Sequence, residues 1–253
     1  MTIKATSSEL QELRAAATNG TISYISKRLL TVENLIAKVD VNYVYSSDRA
    51  EWTALHWAVA SGNLPQIPKG LLVRLKPEHL EISAQNKQST WAPLHSAAIN
   101  GHLKHIPKHL FSNKNLLQRS RSGYTVFHHA VEAGNLYQIP EEFLSLDNLT
   151  QEIDGWTAIH HAALFGHLKH IPRNLLTAEV LMMTDRKSRT ILEVAAANNE
   201  LDQLLGIQLP PAAINIVGDA WWERNLTALH EFNTKNIPMS KALRIENILE
   251  VDI

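Results

Sequence analysis

Residues 157–176 read TAIHHAALFGHLKHIPRNLL, and three earlier stretches repeat the wording: TALHWAVASGNLPQIPKGLL at 53–72, APLHSAAINGHLKHIPKHLF at 92–111 and TVFHHAVEAGNLYQIPEEFL at 125–144. His56, His95, His128 and His160 keep step with Gly62, Gly101, Gly134 and Gly166, and with Pro68, Pro107, Pro140 and Pro172. All three markers are separated by 39, 33 and then 32 residues. Three markers holding one spacing through four copies are the signature of a repeat array. A fifth copy begins at Thr190, with Glu193 in place of the histidine and Asn199 in place of the glycine. A weaker copy runs from Leu13 to Leu30, and a shortened fragment combines Thr227–His230 with Ile237-Pro238. Degenerate ends are expected of an array, whose terminal units cover the core and face water.

Each copy predicts the same local structures. From the motif threonine to the residue before glycine, apolar residues fall at helical spacing, as in Leu94, Ala97 and Ala98. Small alanines at fixed positions let neighbouring helices approach closely. The glycine, or Asn199, suits a left-handed helix stop. The Leu-x-x-Ile-Pro step then makes one short turn. Its proline, lacking an N–H, fits the first position of a renewed helix. Thr31, Ser112, Ser145 and Thr177 have the character of N-caps on a further brief helix. Ser122-Gly123 and Asp154-Gly155 mark hairpin-like loops joining the copies. One copy holds too few apolar side chains to offset the entropy of ordering it, so the copies must stack.

The run Gly-Trp-Thr-Ala-Ile-His-His-Ala-Ala-x-x-Gly-His at 155–167 resembles the ankyrin repeat, whose pattern is Gly-x-Thr-Pro-Leu-His-x-Ala-Ala-x-x-Gly-His; Pro93 retains the family proline. The resemblance covers residues from about 10 to 205. It implies an all-α fold: an ankyrin-type helical repeat solenoid with hairpin-like loops between repeats and degenerate terminal caps. The expected parts are a capping repeat at 1–45, the array at 46–209 and a C-terminal repeat or cap at 210–253. Pro210-Pro211 marks the last break. Trp221-Trp222-Glu223-Arg224 then forms either a capping core or a contact patch, and Leu243, Ile245, Ile248 and Leu249 are placed to cover the last unit. The sequence departs from the family in the Ile-Pro step within the second helix and in the extra short capped helix.

By the same resemblance, Thr53, Thr125, Thr157 and Thr190, with His56, His95, His128 and His160, hydrogen-bond within and between units. Family members bind proteins through the hairpin tips and the concave face of the first helix. The position before the motif threonine carries Trp52, Trp91, Tyr124, Trp156 and Arg189, residue types that dominate binding hot spots. These side chains either line a contact face or pack on the next hairpin. Further contact candidates are Ala60, Ser61, Ile99, Asn100, Glu132, Ala133, Leu164 and Phe165. Exposure of Leu164 and Phe165 together would make an apolar patch.

Composition narrows the function classes. With 24 basic and 25 acidic side chains the net charge is −1, which lacks the basic excess of a nucleic-acid binder. The absence of cysteine excludes disulfides, thiolate catalysis and cysteine zinc sites. No apolar stretch is long enough for a membrane span and no secretory signal is visible, so a cytoplasmic protein, or an effector exported by another signal, is expected. His102, His105 and His109 invite a metal reading, but Pro107 interrupts their face and no carboxylate completes a zinc site, so no metal or other cofactor is expected. Phosphate-loop, His-Glu-x-x-His and nucleophile-elbow motifs are missing, and repeated histidines do not make one catalytic constellation. The expected function is a monomeric, non-catalytic scaffold binding a protein partner of unknown identity. A self-associating structural scaffold is the alternative.

Overall fold

The first helix of each motif copy is only seven or eight residues long, so its neighbours decide where it sits. A computed structural model describes residues 5–38, 52–81 and 91–207, with isolated positions 209, 213, 216 and 218. The chain divides into two compact units, residues 1–153 and 154–253. The first contains α1 (Ser7–Asn19), α2 (Val32–Leu35), α3 (Ala54–Ala60), α4 (Lys69–Leu72), α5 (Pro93–Asn100), α6 (Asn113–Leu116), α7 (Val126–Glu132) and α8 (Leu146–Leu149). The second contains α9 (Ala158–Phe165), α10 (Ala178–Leu181) and α11 (Ile191–Ala197). The described residues are thus all-helical, without a strand; Thr184 and Thr190 form an isolated antiparallel bridge. The boundary expected at 45/46 lies outside the described residues, as do Trp221, Trp222, Leu243, Ile245, Ile248, Leu249 and the fragment at 227–238.

Helices pack in chain order. In the first unit α1 lies against α3, α3 against α5 and α5 against α7; in the second, α9 lies against α11. The alanines explain the close approach: Ala58, Ala97, Ala130, Ala162 and Ala195 are all fully buried. Each helix stops where the left-handed conformation is adopted, at Gly62, Gly101, Gly134 and Gly166 with φ between 69° and 73°. Asn199 takes the same conformation, φ 59°, in the copy that lacks the glycine. Asparagine tolerates this region better than other side chains do.

The chain then makes a single 3₁₀ turn, at Leu64–Gln66, Leu103–His105, Leu136–Gln138 and Leu168–His170, which buries its leucine completely. The isoleucine after the turn is also buried and extended, a conformation that the following proline favours and that Ile25, followed by Ser26, adopts without one. This corrects the expected second helix. Each proline stands one place before the next short element, with φ between −53° and −57°, and not at its first helical position. That element is α4 in one copy and a 3₁₀ turn in the others, at Lys108–Leu110, Glu141–Phe143 and Arg173–Leu175. The Ile-Pro step therefore separates two single turns.

A four-residue α-helix closes four of the described copies, and a 3₁₀ turn at Pro77–Leu80 takes its place in the copy that begins at Thr53. Thr31, Ser112, Ser145 and Thr177 accept at their side chains from the backbone N–H three residues on, capping α2, α6, α8 and α10. Three of these helices carry asparagine at that third position. Asn34, Asn115 and Asn148 donate through Nδ2 to the carbonyls of Leu29, Leu110 and Phe143, at 3.1, 2.8 and 2.8 Å. Each amide thereby fastens the helix to the turn before it. Asn148 also donates to Oδ1 of Asn113 at 3.1 Å, joining α8 to α6. Removal of a fully buried amide leaves a carbonyl without its donor, so Asn115→Ala should lower unfolding free energy by about 1–3 kcal/mol in urea titration. A change within error would show that α6 does not depend on this bond.

Candidate functional site

The motif histidines lie at the third position of their helices, where glutamate or glutamine ordinarily completes a capping box. Here imidazole replaces the carboxylate. The backbone N–H of Thr53, Ala92, Thr125 and Thr157 donates to Nδ1 of His56, His95, His128 and His160, at 3.2, 2.9, 3.4 and 3.3 Å. The same role falls to a carboxylate at the two outermost described copies: Thr6 N–H donates to Glu9 at 2.8 Å, and Thr190 N–H to Glu193 at 2.6 Å. Glu9 is also paired with Arg28. The Thr53 and Thr157 hydroxyls reciprocate by accepting from the N–H of His56 and His160.

An Nδ1 that accepts is deprotonated, so Nε2 carries the hydrogen. That hydrogen has a second task. His56 Nε2 donates to the carbonyl of His79 at 2.8 Å and His95 Nε2 donates to that of Gln118 at 2.9 Å, each 23 residues downstream. At the same step along the chain, the Met183 carbonyl bears on His160 electrostatically. The His56 and His95 rings thus tie their helix starts to the segments that close their own copies. Burial pushes His56 down to about 4, with Lys38 and His79 adding to the effect and the His79 carbonyl opposing it. Burial likewise pushes His95 down to about 3, aided by nearby His129.

Helix C-termini are served by the following copy. Asn63 Nδ2 donates to Ala17 and Thr18 carbonyls at 2.9 and 3.1 Å, capping α1. His102 Nδ1 donates to the Ala60 carbonyl at 2.9 Å, capping α3. Asn135 Nδ2 donates to the Ala98 carbonyl at 2.8 Å, capping α5. Within the second unit, Gln203 Nε2 donates to the Gly166 carbonyl at 2.8 Å. Residues 63, 102 and 135 all immediately follow the helix-stop glycine, and their donor types, amide or imidazole, alternate along the chain.

The hairpin aromatics are held by the protein itself. Trp52 is 0% exposed; its Nε1–H donates to the Trp91 carbonyl at 3.0 Å and its ring meets Trp57 edge-on at 5.0 Å. It offers no surface to a partner, which corrects its place among the contact candidates: the ring packs on the next copy. Ala60 is buried with it. Trp91 is half-buried, with Nε1–H donating to Ser96 Oγ at 2.8 Å. Half-buried Tyr124 stacks on His128 at 5.5 Å. In the second unit, exposed Arg189 places its guanidinium 5.2 Å from the ring of half-buried Trp156 and is anchored by Asp185, Nη2 to Oδ2 at 2.8 Å.

Two residues not singled out by the sequence organise these side chains. His129 lies 5.1 Å from Trp91, 5.4 Å from Tyr124 and 3.5 Å from the carboxylate of half-buried Glu132. His161, its counterpart, lies 5.5 Å from Trp156 and 6.1 Å from Phe165. Their signal was the recurrence of the second histidine in His128-His129 and His160-His161. Ser120 and Asp185 accept from the N–H of Tyr124 and Arg189, at 3.2 and 3.0 Å, and so fix the two hairpin turns. The remaining apolar candidates are open to solvent: Ile99 42%, Leu164 37% and Phe165 47% exposed, beside exposed Asn100. Ser61 and Ala133 are half-buried.

Among the described residues, no group of three or more His, Cys, Asp or Glu is placed to hold a metal ion. His102 is engaged with Ala60, and His109 Nε2 lies 3.2 Å from the Leu72 carbonyl. No described helix is long and apolar enough to cross a membrane. The chain matches no protein-family model and no curated protein sequence.

Trp52 and Arg189 should therefore separate cleanly on mutation. Trp52→Ala empties a buried site and should lower unfolding free energy by about 3–5 kcal/mol. Arg189→Ala, at an exposed site, should cost no more than about 1 kcal/mol. Comparable losses in thermal or denaturant melts would contradict the packing described.

Proposed function

We propose that the chain is an ankyrin-type repeat protein whose work is to hold a protein partner, with no catalytic step of its own. The carrying observation is the exposure of Ile99 in the first unit and of Leu164 and Phe165 in the second. All three lie at the C-terminal ends of first helices that are otherwise buried. A large apolar side chain held in water by a short, firmly capped helix is unfavourable in isolation and gains free energy when a partner covers it. Half-buried Trp91, Tyr124 and Trp156 add the rigid, amphipathic rings that contact surfaces favour. The chain-order packing of first helices in each unit agrees with a stacked repeat array.

Hydrogen bonding speaks against chemistry at His56 and His95. Both nitrogens of His56 and His95 are committed to backbone bonds, which leaves neither ring free as a general base. In this reading the protein acts as a cytoplasmic monomer, requires no cofactor, and with a net charge of −1 does not select nucleic acid.

The test replaces the exposed side chains and leaves the caps alone. An Ile99→Ser/Leu164→Ser/Phe165→Ser variant should shift stability by no more than about 0.5 kcal/mol per site. Affinity purification from native cells should lose the partner retained by the unaltered chain, and light scattering should report a monomer for both. Undiminished partner recovery by the triple variant would refute the reading. A concentration-dependent mass that collapses on substitution would transfer these side chains to self-association.

A further inference from the structure

We propose that the motif histidines form an acid-released lock: a proton taken up at Nδ1 removes the acceptor holding each helix start, and copies with histidine open while copies capped by glutamate stay closed. Hydrogen-bond chemistry sets the lock. Neutral imidazole has one acceptor nitrogen, and in His56 and His95 that atom is filled by a backbone N–H while the other nitrogen donates to a carbonyl. Imidazolium has two donors and no acceptor, so protonation sets an N–H against an N–H at the helix start. Glutamate differs in kind: a protonated carboxyl still keeps acceptor lone pairs. Glu9 and Glu193 thus preserve their bonds to Thr6 and Thr190 through a change that His56 and His95 cannot survive.

The surroundings reinforce the lock. His56 is 6% exposed and is faced by Lys38 and His79, both basic, so neither favours a further positive charge. His95 is fully buried on α5 and faces His129 of α7, which itself lies 3.5 Å from Glu132. In the second unit His160 faces Asp185, Arg189 and His161; the carboxylate favours the proton and the two basic groups oppose it. Burial is the leading influence on all three, and it holds each below the ordinary histidine range. A histidine lowered in the folded state is protonated first in the unfolded chain. Its contribution is complete above the unfolded value near pH 6.5, and for His56 is lost progressively as pH falls toward about 4. His56 and His95 therefore each weaken the folding equilibrium about tenfold per pH unit as the pH falls across that window.

Opening starts at the helix N-termini, where the N–H of Thr53 and of Ala92 loses its acceptor at Nδ1. A ring displaced from that N–H then no longer holds the carbonyls of His79 and Gln118. Glutamine restores an acceptor without a titrating proton and is a standard partner in a capping box. Urea melts of the full chain at pH 7.5 and 5.0 should show the folding equilibrium constant falling at least tenfold. The fall should shrink in His56→Gln/His95→Gln/His160→Gln. Should the triple variant fail to fold, NMR of the unaltered chain decides the matter: these rings should show the Nε2–H tautomer at neutral pH and should not titrate near pH 6.5 while the protein is folded. Equal pH dependence in both proteins, or rings titrating near pH 6.5 in the folded state, would overturn the lock.

Discussion

A seven-residue helix is nearly all ends. Its first four N–H groups and last four carbonyls find no partner inside the helix, so α3, α7 and α11 have few internally satisfied backbone groups. Such a segment would not persist alone, whatever its propensity. The rest of the structure depends on supplying the missing partners. A ring or carboxylate at the third position takes the N–H at the start, and the threonine hydroxyl takes another where Thr53 and Thr157 stand. An amide or imidazole from the next copy takes the carbonyls at the end.

This arrangement gives the first unit its order along the chain. Asn63 reaches back to α1, His102 to α3 and Asn135 to α5, so every described neighbour pair there is fastened by polar bonds as well as by buried alanines. Imidazole appears in both roles. His95 accepts at Nδ1 for its own helix, whereas His102 donates from Nδ1 to the preceding one. The abundance of histidine is thus accounted for largely by backbone satisfaction, and the reading as a binding protein rests on the exposed apolar residues instead.

The legible part of the sequence is whatever local chemistry dictates. Ser and Thr as caps, Gly and Asn199 as left-handed stops and the burial of Leu and Ile around the Pro step all obey short-range rules. The candidate contact residues are less legible, because exposure is decided by neighbours. Trp52 and Trp156 occupy equivalent positions, yet one is enclosed by Trp57 and Trp91 and the other is half-covered by Arg189. Within the motif copies the difference is Trp57 against His161, and its effect on exposure is decided by what the next copy supplies. The asparagines at 34, 115 and 148 are visible as a recurrence, but their purpose depends on a carbonyl five residues back that only the folded turn brings near. The second helix gives way to two turns, and proline reinforces that break without being required for it, since Ile25 is extended ahead of Ser26.

The bond from the residue after the helix-stop glycine to the copy before it also bears on how such a chain grows. A duplication with breakpoints in two successive hairpins inserts a cassette carrying its own N-terminal acceptor. The cassette presents to its upstream neighbour the kind of donor it has displaced, and its own last carbonyls meet the donor of the old downstream copy. The polar bond at both seams is then supplied without a compensating substitution, and because both amide and imidazole make it, at 63, 102 and 135, the inserted copy need not match its surroundings at that residue. Length is therefore a variable that heredity can change in a single step.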